Sequence, residues 1–299
     1  MSTTPKRNLS DEQLTRAVLD SFEGAPDPRT KEILQSLVHH LHAFATDVQL
    51  TEEEWAAGID FLTRTGHMTD DKRQEFILLS DVLGLSMLTI GINHRVPDGA
   101  TESTVFGPFF VADSPQYSNG DDIANGQSGV PCYVSGQVRS VSGDPIAGAK
   151  MEIWQADDEG FYDVQRPDLD QAQGRGHLVS ADDGRYWFWS VFPEAYPIPA
   201  DGPVGDLLTA GGRHPWRPAH IHFQVSAPGY ETCTTHVFPD GGRYLDSDAV
   251  FGVKSSLIQT FERHDGGEAP DGTAPDGEWW SMHYDFVLAA QDASNGSAT

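Results

Sequence analysis

The sequence predicts an α+β chain, with helices confined to its N-terminal third and an antiparallel β-sandwich making up the rest. Three observations point that way. Capping boxes and apolar residues at three- and four-residue steps fill residues 1 to about 95. After Pro97-Asp98-Gly99 the pattern changes to short apolar runs separated by Gly, Pro and Asp. The 30 Gly and 19 Pro in 299 residues exceed the usual share but stay short of a low-complexity composition, as expected of a folded, loop-rich protein.

Taken in order, Ser10 with Gln13 is a capping box, opening a helix in which Leu14, Val18 and Phe22 recur at four-residue steps. Asp27 followed by Pro28 is an N-cap with proline in the first turn, and Leu34, Leu37, Val38, Leu41, Phe44 and Val48 then form a wide apolar stripe. Thr51 with Glu54 is a second capping box, with Gly66 as the expected stop. From Thr69 a last helix is expected to carry Phe76, Leu79, Val82, Leu83 and Leu85, apolar on more than one side. These helices are too few for a core of their own, so residues 1–100 are expected to form a dimerising or linker segment. Residues 101–299 then form the sandwich.

From Val130 the expected strands are CYVSGQV, SGDPIAG, AKMEIWQA, GHLVS, RYWFWSVF, HIHFQVS and ETCTTHVF, with WWSMHYDFVLAA closing the domain as one strand. Turns fall at Asp182-Asp183-Gly184 and Ala227-Pro228-Gly229. The acidic, Gly-rich stretch from His264 to Glu278 is expected to be solvated, and the tail from about 291 disordered.

Charge and cysteine content narrow the function classes. With 19 Lys+Arg against 45 Asp+Glu, a formal charge of −26 argues against a nucleic-acid partner. Two cysteines, Cys132 and Cys233, support neither a disulfide scaffold nor a Cys-based zinc site. The N-terminus has no apolar signal core, and the most apolar stretch, Ile77 to Ile92, contains Asp81 and falls short of the ~20 residues that span a bilayer. The expected compartment is the reducing cytoplasm.

The sharpest local feature is His220-Ile221-His222 within an expected strand, where the period of two turns both imidazoles to one face. Pro215-Trp216-Arg217-Pro218-Ala219 precedes the pair, fixing the backbone and setting a cation beside it. No HExxH or cysteine pair is present, and no carboxylate adjoins the pair to make a 2-His-1-carboxylate site. Two tyrosines stand in loops, Tyr162 directly after a strand and Tyr196 in a proline-pinned segment. By pattern alone each could equally be a packing residue. A redox-inert zinc hydrolase built on the histidine pair and a non-catalytic β-sandwich carrier therefore both stay open.

GFYDVQ, PEAYPIPADGPVG and HPWRPAHIHFQVSAPGY together resemble the intradiol ring-cleavage dioxygenases, with 34 residues between the tyrosines, 24 from Tyr196 to His220 and two between the histidines. The resemblance runs through the helical third and covers most of the chain. It implies that Tyr162, Tyr196, His220 and His222 ligate a non-haem Fe(III), a setting that suits hard phenolate donors. It also implies that an aromatic diol or triol chelates this ion as a dianion and displaces Tyr196, whose phenolate helps take up a proton. O₂ then attacks the substrate, with Arg217 stabilising the charge that builds on the ring. A homodimer joined through the N-terminal helices, with a phospholipid held in an apolar tunnel between subunits, is implied as well.

Members specific for catechol usually carry glutamine where His236 stands, and TVFGPFF (104–110) and LLSDVL (78–83) resemble the subgroup that cleaves hydroxyquinol. By that likeness the substrate pocket would comprise Leu78, Asp81, Val105, Phe106, Gly107, Pro108, Phe109, Ile198, Pro199, Arg217, His236 and Val250. Asp81 could accept a hydrogen bond from the third hydroxyl of hydroxyquinol, a group that catechol lacks. Catechol or chlorocatechol cleavage is the alternative within the class. His39, His40 and His42 are expected at a surface or interface, His214 in a loop, Cys132 and Cys233 in the core, and Trp187 and Trp189 in the sandwich.

Overall fold

The computed structural model describes residues 7–70 and 73–291. The expected disordered tail lies almost wholly outside the described residues. By its contacts the chain divides into two units, Met1–Arg64 and Thr65–Thr299.

The first unit contains α1 (Asp11–Ser21), α2 (Pro28–Asp47) and most of α3 (Glu52–Met68). All three expected N-caps are made. Ser10 and Gln13 exchange backbone–side-chain bonds at 3.0 and 3.4 Å, the Asp27 carboxylate accepts from the Thr30 amide at 2.8 Å, and Thr51 and Glu54 bond reciprocally at 2.9 and 3.2 Å. Leu37, Leu41 and Phe44 of α2 and Val48 just after it stay about half exposed in the single chain.

The second unit opens with α4 (Glu75–Val82) and α5 (Leu85–Asn93), two helices where one was expected. The break is Gly84, whose φ of +74° cannot continue a right-handed helix, and the two axes meet at 78°. Gly66 does not stop α3, which runs two residues further. No single helix among the described residues is long and apolar enough to cross a membrane; the α4–α5 pair passes such a test only as a bent pair, and Leu78, Leu79, Asp81 and Val82 of α4 are buried in the protein.

Next come β1 (Pro131–Ser140), β2 (Lys150–Trp154), β3 (Arg175–Val179) and β4 (Arg185–Val191). The short β5 (Tyr196–Pro197) is followed by α6 (Pro203–Ala210) and the equally short β6 (Trp216–Arg217). The unit closes with β7 (Ile221–Ser226), β8 (Cys233–Pro239), β9 (Ile258–Gln259), β10 (Phe261–Asp265), β11 (Glu278–His283) and β12 (Phe286–Leu288). SGDPIAG is a turn, not a strand, tied back by a bridge from Arg139 to Pro145.

Two five-stranded sheets form, one ordered β10-β11-β1-β12 with β4 also on β1, the other β3-β2-β7-β8-β9. Ile123, Val134, Phe188, Ile153, Phe223 and Val237 belong to one buried cluster that draws on both sheets. The sheets are mixed, which corrects the antiparallel expectation: β1 pairs in parallel with β11 and β12, and β8 with β9. Parallel neighbours need a long crossover, and the excursion from Ser140 to Glu278 supplies it.

The expected closing strand splits at Tyr284-Asp285. The Tyr284 amide donates to Ser135 O at 2.9 Å, and the Asp285 carboxylate accepts from the Gln137 amide at 2.9 Å, replacing a ladder bond. The backbone passes so close here that a Cβ on Gly136 would overlap the Tyr284 carbonyl at 1.7 Å. The His264–Glu278 stretch is partly docked: Ala269 is buried with Tyr133, Trp189 and Trp279, and Asp271 accepts from the Trp189 indole at 2.8 Å.

Candidate metal and substrate site

The second sheet, the loop after β2 and the β5–β6 ribbon bring four polar side chains to one buried point. His222 lies in β7, flanked by β2 and β8, and His220 stands one residue before the strand. The period of two keeps both rings on one face, with their Nε2 atoms 3.1 Å apart. Tyr196 pairs with Arg217 across the ribbon. Tyr162 follows the turn after β2, where its amide donates to Gln165 Oε1 at 2.9 Å.

Tyr162 Oη lies 3.1 Å from Tyr196 Oη, 2.9 Å from His222 Nε2 and 3.4 Å from His220 Nε2; Tyr196 Oη lies 3.4 Å from His220 Nε2. Edges of 2.9–3.4 Å suit four donors about 2 Å from a common centre. His220 Nδ1 lies 2.8 Å from the Pro218 carbonyl, which can only accept, so Nδ1 carries the proton and Nε2 presents a lone pair.

The electrostatics suit a cation. Burial and the Arg217 charge push His220 down to about 3, and burial with its two histidine neighbours holds His222 well below the usual imidazole range. Both are neutral, the ligand form. Burial, reinforced by Tyr196 and opposed by Arg217 and Arg175, keeps the Tyr162 phenol well above its ordinary value, and a further positive charge at the cluster would offset that penalty. A buried polar atom without a partner, His222 Nδ1, lies beside it.

The glycines permit the approach. Gly160 has φ +85°, and a Cβ there would stand 2.6 Å from Tyr196 Cβ. Gly107 has φ +75°, with its missing Cβ 3.3 Å from His222 Cε1. Phe109 stacks on Tyr162 at 4.5 Å, and Trp154 stacks on His222 at 4.6 Å.

Arg217 is buried and bonds Asp248 through Nε at 3.1 Å and Nη2 at 3.3 Å, while Nη1 donates to His220 Nε2 at 3.3 Å. Burial opposes its charge, yet Asp248 and the two tyrosines outweigh burial and raise its pKa. Asp248 is itself held by the Gly252 amide at 2.8 Å and the Val250 amide at 3.3 Å.

His236 sits opposite His222 in β8, its ring 4.1 Å away. Its Nδ1 pairs with Thr104 Oγ1 at 2.6 Å, and Nε2 is buried without a partner. The ligand-type nitrogens of His220, His222 and His236 all lie within 4.8 Å of one another.

Asp81 is buried on α4 one turn after Leu78. Burial raises its pKa, against the pull of Ser86 and Arg217 and with the push of Asp248. Val105, Ile198 and Val250 are buried and Pro199 is half-buried. Phe106 and Pro108 are exposed, the Phe106 ring packing on Phe110 at 4.6 Å.

His214 is engaged with the Ser247 hydroxyl and the Trp216 amide, and His42 with Thr15. Asp248, Trp154 and the buried Asp163–Arg175 pair behind Tyr162 carry no signal readable from sequence, because each acts through a partner distant in the chain or across a strand register.

A family profile described as "Dioxygenase" matches residues 105–290, and one described as "Catechol dioxygenase N terminus" matches residues 27–101. The 6-chlorohydroxyquinol 1,2-dioxygenase of Cupriavidus pinatubonensis is 58% identical, over 92% of this chain and 96% of its own. The hydroxyquinol 1,2-dioxygenase of Nocardioides simplex is 51% identical over 97% and 99%. Among solved structures, the hydroxyquinol 1,2-dioxygenase of Pseudomonas putida superposes with a TM-score of 0.89 at 48% identity, covering 94% of this chain and 99% of its own. The catechol 1,2-dioxygenase of Acinetobacter radioresistens gives 0.84 at 25% identity, covering 98% and 97%.

Proposed function

The chain belongs to the intradiol ring-cleavage dioxygenase family, and from that premise we propose that it cleaves hydroxyquinol, 1,2,4-trihydroxybenzene, with O₂. The ring opens between the two adjacent hydroxylated carbons and both oxygen atoms enter the product. That product is 3-hydroxy-cis,cis-muconate, the enol form of maleylacetate. The observation that carries this reading is the convergence of two phenol oxygens and two imidazole nitrogens at 2.9–3.4 Å.

Tyr162, Tyr196, His220 and His222 would hold a non-haem Fe(III), since phenolates are hard, anionic donors that favour the trivalent ion. When bound, the ion supplies Lewis acidity, which lets a catecholic substrate bind as its dianion. The remaining requirements fall on side chains. Tyr196 takes up one of the two hydroxyl protons as substrate arrives, and the other leaves to solvent. Arg217, kept charged by Asp248, stabilises negative charge on the ring. Phe109 and Trp154, stacked on Tyr162 and His222, keep water from the donors. Asp81, already bonded by Ser86, accepts a further hydrogen bond from the third hydroxyl; catechol would leave that buried carboxyl one partner short, which favours the triol. His236 adjoins the histidine pair and shapes the same wall, with Leu78, Val105, Gly107, Ile198 and Val250.

The exposed apolar stripe of α2 supports a homodimer joined through residues 1–100, with a phospholipid at that face, and residues 101–299 as a sandwich that carries the chemistry. Two unpaired buried cysteines fit the cytoplasm. Light scattering and lipid extraction test the dimer and its lipid.

The reading itself is tested by the visible spectrum of purified protein before and after anaerobic hydroxyquinol. A phenolate-to-Fe(III) band that shifts on addition is expected, and iron-loaded protein without the band would refute the tyrosinate site. Steady-state rates on hydroxyquinol, 6-chlorohydroxyquinol and catechol decide the substrate, and a preference for catechol would refute the triol assignment.

A further inference from the structure

Arg213 takes no part in the chemistry above, yet its guanidinium joins two segments that do. Nη1 donates to the Val82 carbonyl and Nη2 to the Ala249 carbonyl, the latter at 2.8 Å. Val82 follows Asp81 directly, and Ala249 follows Asp248 directly. One planar fork therefore ties the end of α4, with the carboxylate read as the triol acceptor, to the loop whose carboxylate orients Arg217.

A second observation converges on the same point. Phe251 has φ +58°, a left-handed conformation disfavoured for a bulky residue. That conformation sets its ring under the guanidinium at 4.8 Å from Arg213 Cζ, and against the α4–α5 corner, where a Cβ on Gly84 would lie 3.5 Å from Phe251 Cδ2. Strain at Phe251 is sustained because the Asp248 carbonyl and carboxylate wind the loop, accepting from the Phe251 and Gly252 amides at 3.1 and 2.8 Å. Asp81 also feels the charges of Asp248 and Arg217, so a change in their spacing changes the balance of charge on Asp81.

We propose that Arg213, clasped by Phe251, is a positioning residue for substrate selection: it fixes the spacing between Asp81 and the Arg217–Asp248 pair, and so sets the preference for a triol over a diol. The inference rests on the hydroxyquinol reading. It predicts a separable effect, because without Arg213 the Asp248 loop keeps its bonds to Arg217 and to the Val250 and Gly252 amides, whereas the end of α4 with Asp81 loses its tie, and the four metal-binding side chains stand on other elements.

The test compares kcat/KM for hydroxyquinol and catechol in the parent, Arg213→Ala, Arg213→Lys, Asp81→Asn and the Arg213→Ala/Asp81→Asn double variant. Arg213→Ala should lower the hydroxyquinol-to-catechol ratio about tenfold, through a higher KM for the triol. The visible band of the iron-loaded protein should not change. Arg213→Lys, which keeps one donor group at the carbonyls, should recover an intermediate ratio. In the Asp81→Asn background Arg213→Ala should alter the ratio by less than about twofold, since the coupled partner is gone. Equal losses on both substrates, or a full Arg213→Ala effect in the Asp81→Asn background, would overturn the inference and leave the hydroxyquinol reading intact. A parent that prefers catechol would overturn the hydroxyquinol reading, and this inference with it. If Arg213→Ala does not fold, Arg213→Lys and Phe251→Leu carry the same comparison, with the same direction expected and the same refutation.

Discussion

Gly160→Ala is the sharpest test of how the candidate metal site is built. Two penalties combine. The φ of +85° costs an L-residue about 1–2 kcal/mol of backbone strain. The new methyl would also stand 2.6 Å from Tyr196 Cβ, about 1 Å inside ordinary carbon–carbon contact. That ångström must be absorbed either by Tyr196 or by the 158–162 loop. In the first case one phenol leaves the cluster; in the second Tyr162, two residues along, moves with the loop. Because the donor edges are 2.9–3.4 Å, either displacement spoils the cage.

A misplacement of about 1 Å at a catalytic centre costs on the order of 10²-fold in rate. Gly160→Ala is therefore expected to lose about 10²-fold in kcat/KM on hydroxyquinol, with lower iron content and a weaker visible band. Gly143→Ala is the control, since Gly143 has φ +90° and nothing within 4 Å of its missing Cβ. It should lose about 1 kcal/mol of stability and no activity. Metal analysis, absorption and urea denaturation on both variants decide the matter. If Gly160→Ala keeps full iron and activity, or if Gly143→Ala loses as much activity, the close-approach argument is wrong.

Three further outcomes follow from the buried polar groups. Asp248→Asn leaves the Arg217 guanidinium buried with a weakened partner and should cost about 3–5 kcal/mol by denaturant titration, together with most of the activity. Asp81 has a raised pKa, so the folded state binds its proton more tightly than the unfolded chain does. Stability from that proton is present at low pH and lost as pH climbs from the ordinary carboxyl value through the raised one. Asp81→Asn should accordingly be at least as stable as the parent at pH 7 while discriminating less against catechol, measured by denaturation at pH 4 and 7 and by parallel rates. His236→Gln replaces the ring that packs on His222 at 4.1 Å and should lower the hydroxyquinol-to-catechol ratio about threefold, with an unchanged ratio as the contrary result.

Part of the candidate site is legible because its signal is local, whereas the two tyrosines join it only through the family resemblance. The period of two in His220-Ile221-His222 is enough to place two imidazoles on one face, and prolines flanking Tyr196 mark a pinned loop. Capping residues likewise located the helix starts, since a cap is a bond between residues three apart. What the sequence hid depends on contacts between distant segments. Nothing in a run of apolar residues says that β1 takes parallel partners from the far end of the chain, because side-chain alternation is the same for either pairing direction. Gly84 looked like an ordinary helix residue until its positive φ split α4 from α5. Asp248 lies 31 residues from Arg217, and only the fold brings them together.

The two tyrosines are held unequally, and the inequality has chemical content. Tyr162 is fully buried, its amide is tied to Gln165, and the next residue, Asp163, forms a bidentate pair with Arg175 at 2.6–3.1 Å in the interior. Moving Tyr162 would mean breaking a buried ion pair, which is costly. Tyr196 stands on a ribbon of two residues per strand, between Pro193 and Pro197, with its backbone paired only to Arg217. Of the two phenols, Tyr196 is thus the one tied by fewer backbone and ion-pair contacts, while Arg217 across the ribbon is anchored by Asp248. Substituting Asp163→Asn should loosen Tyr162 and erase this asymmetry, broadening the visible band of the resting protein. An unchanged band would show that the buried pair does not discriminate between the two tyrosines.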